Sequence, residues 1–224
     1  MKNSLRCLGF ALLSIALALP LAADEGTRAR TKAPAQRADE REWTFEFETG
    51  ALFGNNQFGD QTGAANPDYT LIPFDFTAAL TVDEVSLDEH WGGVFRGNTE
   101  FFFRGTSHVV VQGIEDHFTG IYVGPRYNFV QRDWDVVPFV ESHVGVAFTN
   151  SQGQNRGTSQ VGQGQDFCFT FGIGAGIRYD IDEDWFLRFT LRYTHFSNAD
   201  LSEPERGNHG LDVFGPVVGF GRRF

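Results

Sequence analysis

Cysteine is nearly absent from this 224-residue chain, with two in all, and methionine occurs once. Cys7 and Cys168 lie far apart, one near the start of the chain and the other deep within it, so neither a disulfide framework nor a cysteine metal cluster is expected. Basic residues are scarce as well: 18 Lys and Arg stand against 29 Asp and Glu, for a net charge of −11, which excludes nucleic acid as the natural partner. Long apolar runs are missing beyond the first two dozen residues, and a membrane helix needs about 20. If the remainder sits in a membrane, strands must carry it.

What is abundant is phenylalanine, 24 residues, and glycine, 26, a combination suited to aromatic, tightly turning strands. Residues 1–23 carry Lys2 and Arg6, an apolar run from Leu8 to Leu21 and the small pair Ala22-Ala23, the pattern of a secretory signal peptide. Its removal would take Cys7 away and make the rest two charges more negative. Residues 24–41 are charged and nearly free of large apolar side chains, which predicts a disordered lead-in. Residues 42–224 are expected to form one β-domain.

From Glu42 onward the hydropathy alternates with period two. Trp43, Phe45, Phe47, Ala51 and Phe53 share one face of a first strand, and Phe74, Phe76, Ala78, Leu80 and Val82 one face of a second. A third falls between Val94 and Val111, a fourth spans about Phe118 to Val130, a fifth Val136 to Phe148. In the sixth, Phe167, Phe169, Phe171, Ile173, Ala175 and Ile177 alternate with Cys168, Thr170, Gly172, Gly174, Gly176 and Arg178. The seventh presents Trp185, Leu187, Phe189, Leu191 and Tyr193, and the eighth Phe214, Val218, Phe220 and Phe224. Eight strands with short links (131–133, 182–184) alternating with long ones (54–68, 150–165, 198–211) predict an all-β, eight-stranded antiparallel barrel of the bacterial outer membrane. A soluble barrel or sandwich is the competing architecture. It fits worse, because the non-apolar face carries Glu46, Arg96, Glu100, Arg126, Glu141, Arg178, Arg188 and Arg192, and soluble barrels put apolar side chains inside. A narrow lumen filled by paired charges, and no pore, is therefore expected.

The seventh strand ends in Tyr193-Thr194-His195-Phe196-Ser197-Asn198-Ala199. Residues two apart on a strand share a face, and His195 and Ser197 continue the outward, lipid-facing row. A serine becomes nucleophilic when an imidazole takes its proton, and the imidazole needs a third group to hold its tautomer. Asp212 shares the outward parity of Phe214 at the start of the adjacent eighth strand, which makes it the candidate orienting acid, ahead of Glu205 and His209. A catalytic group aimed into lipid suits an acyl ester at the bilayer interface.

These residues resemble the PagL-type lipid A 3-O-deacylases, whose signature is His-x-Ser-Asn-Ala on the penultimate strand followed by Asn-x-Gly-x-Glu or Asp. Here it reads His195-Phe196-Ser197-Asn198-Ala199 and Asn208-His209-Gly210-Leu211-Asp212, with a connecting segment about three residues longer than usual. The resemblance implies a serine esterase acting on lipid A of lipopolysaccharide in the outer leaflet, with a His195, Ser197, Asp212 triad. It also implies an oxyanion site near Asn198, Ala199 and Asn208, and no metal or cofactor. A homodimer is left open.

The rival functions are an outer-membrane phospholipase A, which also presents His-x-Ser-Asn outward but needs more strands, and a non-catalytic structural or adhesion barrel. His90, His108, His117 and His143 are read as turn or lumen hydrogen-bonders, and Cys168 as inward packing. Asp60, Asp68, Asp200, Glu203 and Glu205 are read as solvated loop acids, with divalent-cation binding against lipid phosphates as the alternative.

Overall fold

The alternation written into the chain is resolved by giving its two faces two different surroundings. In a computed structural model describing residues 43–55, 68–87, 90–132, 134–151, 162–199, 201 and 210–224, the period-two segments become antiparallel strands around a closed sheet. The strands are β1 (Trp43–Gly50, continuing as Leu52–Asn55), β2 (Asp68–Thr81), β3 (Asn98–Gln112) and β4 (His117–Asn128). They are followed by β5 (Val136–Phe148), β6 (Phe167–Asp180), β7 (Trp185–Ser197) and β8 (Leu211–Arg223). Each pairs with its chain neighbour, and β1 closes the ring against β8 in the register Thr44↔Arg223 to Gly50↔Val217. Among the described residues every strand is paired on both sides, the condition for a sheet to cross lipid. Among the described residues no helix is long and apolar enough to do so.

The interruption of β1 at Ala51 has a simple cause. Ala51 donates its N–H to the carbonyl of Pro216 at 3.1 Å, but Pro216 has no N–H for the return bond. Pro73 falls opposite Gly50 on the other side, in a register that is the same before and after the gap. Pro125 accounts likewise for the break in pairing between β4 and β5, where the ladder lapses between Val123↔Val144 and Arg126↔Glu141.

Outward side chains are large and apolar, with Phe76, Val144 and Ile173 more than half exposed. The inward face has two zones. Nearer the end holding Trp43 and Phe224, five arginines and five carboxylates interlock. Arg126 meets Glu46 at 2.9 Å, Glu100 at 2.8 Å and Glu141 at 3.0 Å. Arg104 and Arg192 share Glu48 and Glu141, Arg192 also binds Asp75, Arg188 binds Glu46, and Arg178 binds Glu100. Arg104 and Arg188 also lie over the Phe102 and Phe139 rings, each at 4.6 Å. The charged lumen expected from sequence is thus a closed network.

Toward the opposite end the lumen turns apolar, which the sequence reading does not anticipate. Leu52, Leu71, Phe118, Tyr122, Cys168, Phe196 and Val213 pack there, with Phe118 and Phe196 at 4.6 Å between centroids. His108 meets the Tyr122 hydroxyl at 3.3 Å, as a lumen hydrogen-bonder should. His143 instead stacks on Tyr122 at 4.7 Å, and its ring nitrogens have no hydrogen-bond partner among the described residues.

The link lengths depart from the expected alternation. The β2–β3 link, on the same end as the tight turns, is long and includes a 3-10 turn at His90–Gly93, and the β3–β4 link on the opposite end is only 113–116. The β6–β7 turn is tight because Asp182 Oδ1 accepts the N–H groups of Asp184 and Trp185 at 2.9 and 2.7 Å. The first 42 residues, with the expected signal peptide and lead-in, lie outside the described residues.

Candidate active site

β7 ends and β8 begins at the apolar-lumen end of the barrel, and their register sets His195 directly opposite Asp212. Both side chains leave the outer wall, as parity requires. His195 Nδ1 lies 2.8 Å from Asp212 Oδ1, with side-chain exposures of 23% and 17%. Ser197, two residues along the same row, is the last residue of β7. Behind this row, inward-facing Phe196 is fully buried against Phe118 and His108, which anchors the strand end.

Several neighbours shape the site that sequence reading did not single out. The Tyr193 hydroxyl donates to the same Asp212 Oδ1 that meets the imidazole. Phe171, opposite His195 on β6, lies 4.8 Å from it between ring centroids, and 6.3 Å from Tyr193. Gly210 lies so close that a Cβ there would come within 2.9 Å of His195 Cε1. Diagonal contacts of this kind depend on register, which alternation alone does not reveal.

The residues after Ser197 turn sharply. Ala199 has φ of 53°, in the left-handed region, and its N–H donates to Ser197 Oγ at 3.3 Å. Asn198 points inward, fully buried, and its side-chain amide donates to the Gln163 carbonyl at 2.5 Å. Gln163 in turn donates its N–H to Glu115 at 3.0 Å, and Glu115 also accepts from Ser151 at 3.1 Å and Tyr69 at 2.6 Å. This buried carboxylate therefore ties together residues of β2, the β3–β4 link and the β5–β6 link, and through Gln163 the residue after Ser197.

A cavity of about 580 Å³ opens on the side of Asp212 away from β6, lined among others by Phe53, Tyr69, Thr70, Tyr193, Asp212 and Phe214. Asp68, the first residue of β2, also faces it and is exposed. Asn208, Glu205 and His209 lie outside the described residues, as do Asp60, Asp200 and Glu203. Among the described residues no group of three or more His, Cys, Asp and Glu side chains is arranged to hold a metal ion.

With an imidazole and a carboxylate in contact on the outward row and Ser197 two residues along it, the chain can be compared with known proteins. The family described as lipid A 3-O-deacylase (PagL) matches residues 77–220, which is most of the chain. The chain belongs to this family. Its function is accordingly that of a lipid A deacylase, a hydrolase of the bacterial outer membrane. No curated protein matches it in sequence. Among solved structures, Neisserial surface protein A is similar with a TM-score of 0.53 and 12% identity, over 83% of this chain and 100% of that one, a likeness of fold. The outer membrane enzyme PagL matches with a TM-score of 0.47 and 19% identity over 80% and 97% of the two chains. The Yersinia pestis attachment invasion locus protein, Ail, gives 0.38 and 14% over 83% and 99%.

Proposed function

We propose that this lipid A 3-O-deacylase family member removes its acyl chain by serine esterase chemistry, with Ser197 as nucleophile, His195 as base and Asp212 as orienting acid. The observation that carries this is the His195 Nδ1 to Asp212 Oδ1 contact on the lipid-facing wall. An ionised Asp212 accepts the Nδ1 proton, so Nε2 carries the free lone pair. Nε2 takes the Ser197 proton as Oγ attacks the ester carbonyl, forming a tetrahedral oxyanion. It then returns that proton to the departing sugar oxygen as the acyl-enzyme forms. Water, activated by the same nitrogen, hydrolyses the acyl-serine and frees the fatty acid.

On this reading the Ala199 N–H, which donates to Ser197 Oγ at rest, serves the oxyanion during turnover, the family pattern adds Asn208, and Asn198 is the buried anchor that holds the turn. One such donor contributes about 3 kcal/mol where it has been tested. At the site's end three of the four links are longer than ten residues, those between Asn55 and Asp68, Phe148 and Phe167, and Ser197 and Leu211, whereas Trp43 and Phe224 lie at the other end. Outer-membrane barrels keep tight turns in the periplasm and longer loops outside. The site on this reading faces the outer leaflet, where lipopolysaccharide resides, and residues 1–23 act as the signal peptide for export.

The test uses the purified protein in detergent with lipopolysaccharide and, separately, glycerophospholipid, reading released fatty acid and the mass of the lipid A product. Loss of a 3-linked acyl chain from lipid A is expected, abolished by Ser197→Ala and His195→Asn with the barrel still folded. Cleavage of glycerophospholipid alone would replace this reading with a phospholipase, and full activity of folded Ser197→Ala would remove the nucleophile.

A further inference from the structure

The outward row of β7 brings one more polar group to Asp212. Tyr193 precedes His195 by two residues and pairs in register with Phe214, so its hydroxyl reaches Asp212 diagonally across the β7–β8 ladder. It donates to Oδ1, the oxygen that also meets His195 Nδ1. Its ring is held edge-on by Phe171, which at the same time packs against the imidazole. Tyr193, Asp212, His195 and Phe171 thus form a closed ring of contacts on the wall.

We propose that Tyr193 is a positioning residue for the deacylation, acting through Asp212; this rests on Asp212 being the orienting acid. The terminal torsion of an aspartate is broad and two-fold, so a carboxylate held by one hydrogen bond can rock or turn its other oxygen to the imidazole. A second donor on the same oxygen removes that freedom. It also stabilises a carboxylate that is mostly withdrawn from water, where unpartnered charge is costly.

The chemistry of the donor matters too. A neutral phenol binds the carboxylate without cancelling its charge, so that charge remains available to the imidazolium that forms during turnover. A lysine or arginine in its place would compete with His195 for it. Among the described residues no basic side chain lines the cavity beside Asp212; Asp68 is the other ionisable carboxylate there.

A phenylalanine at 193 keeps the ring against Phe171 and deletes the one bond. With the purified full chain in detergent and lipid A as substrate, Tyr193→Phe should lower kcat about tenfold, the scale of one hydrogen bond to a charged group, and leave KM unchanged. The same substitution made on Asp212→Asn should change the remaining rate less than about twofold, because Tyr193 acts through the carboxylate. Unaltered heat-modifiable migration verifies folding in each variant. An unchanged kcat for Tyr193→Phe overturns the proposal. An equal loss in both backgrounds, or a change confined to KM, overturns it too, because Tyr193 then touches the substrate directly. Should Asp212→Asn itself turn over at nearly the native rate, the triad assignment fails first and this inference falls with it; a crippled Asp212→Asn beside a normal Tyr193→Phe sinks this inference alone.

Discussion

Glu141 offers the sharpest separation of what holds the barrel from what cuts the substrate. It is buried in the lumen and lies within 3.2 Å of Arg104 Nη2, 3.0 Å of Arg126 Nε and 3.5 Å of Arg192 Nη2. Glu141→Gln keeps the volume beside Gly174 but leaves five arginines facing four carboxylates. Breaking a buried ion pair from one side costs about 3–5 kcal/mol. Each of the three guanidiniums retains another carboxylate, Glu48 for Arg104 and Arg192 and both Glu46 and Glu100 for Arg126, so the lower figure, about 3 kcal/mol, applies. For a domain of this size that corresponds to a fall of roughly 6–12 °C in the melting midpoint. The assay is the temperature at which the folded, fast-migrating band converts to the unfolded one, run beside lipid A deacylation at a temperature where both forms are folded. The midpoint should drop while kcat stays within about twofold. A midpoint unchanged by Glu141→Gln would refute the claim that this network carries the fold, and a lost kcat at an unchanged midpoint would mean that the lumen reaches the site.

Gly210→Ala would place a Cβ 2.9 Å from His195 Cε1, so the imidazole must shift; deacylation should fall by about an order of magnitude or more while the thermal midpoint barely moves, and normal turnover would show that the ring has room to yield. Glu115→Ala removes the acceptor shared by Tyr69, Ser151 and Gln163, and limited proteolysis should then cut the β5–β6 link well before the strands; resistance equal to the native protein would argue against the knot.

The strands were legible because lipid outside and charge inside give every residue of the barrel wall one of two fates, and parity alone separates Phe189 from Arg188 or Phe171 from Gly172. The same parity brought His195, Ser197 and Asp212 to one face without any knowledge of register. It could not reveal Tyr193 as a partner of Asp212, because a diagonal contact depends on which residue faces which across the ladder. Glu115 carried no signal at all: it stands beside another acid, Asp116, in a four-residue link, and its role comes from three distant segments meeting over it. The β2–β3 link departs from the alternation of link lengths, with Ser86 and Gly97 bridging only as an isolated pair around the turn at His90–Gly93. Nor could a single strand's pattern show that Pro216 faces Ala51, the very residue where β1 breaks.

The filled lumen bears on the cell as much as on the fold. Five arginines paired with five carboxylates, followed along the axis by Phe118 packed on Phe196, fill the lumen of the described barrel with side chains. A barrel filled in this way is expected to add an enzyme to the membrane without adding a leak, and a bilayer holding the purified protein should show no conductance steps.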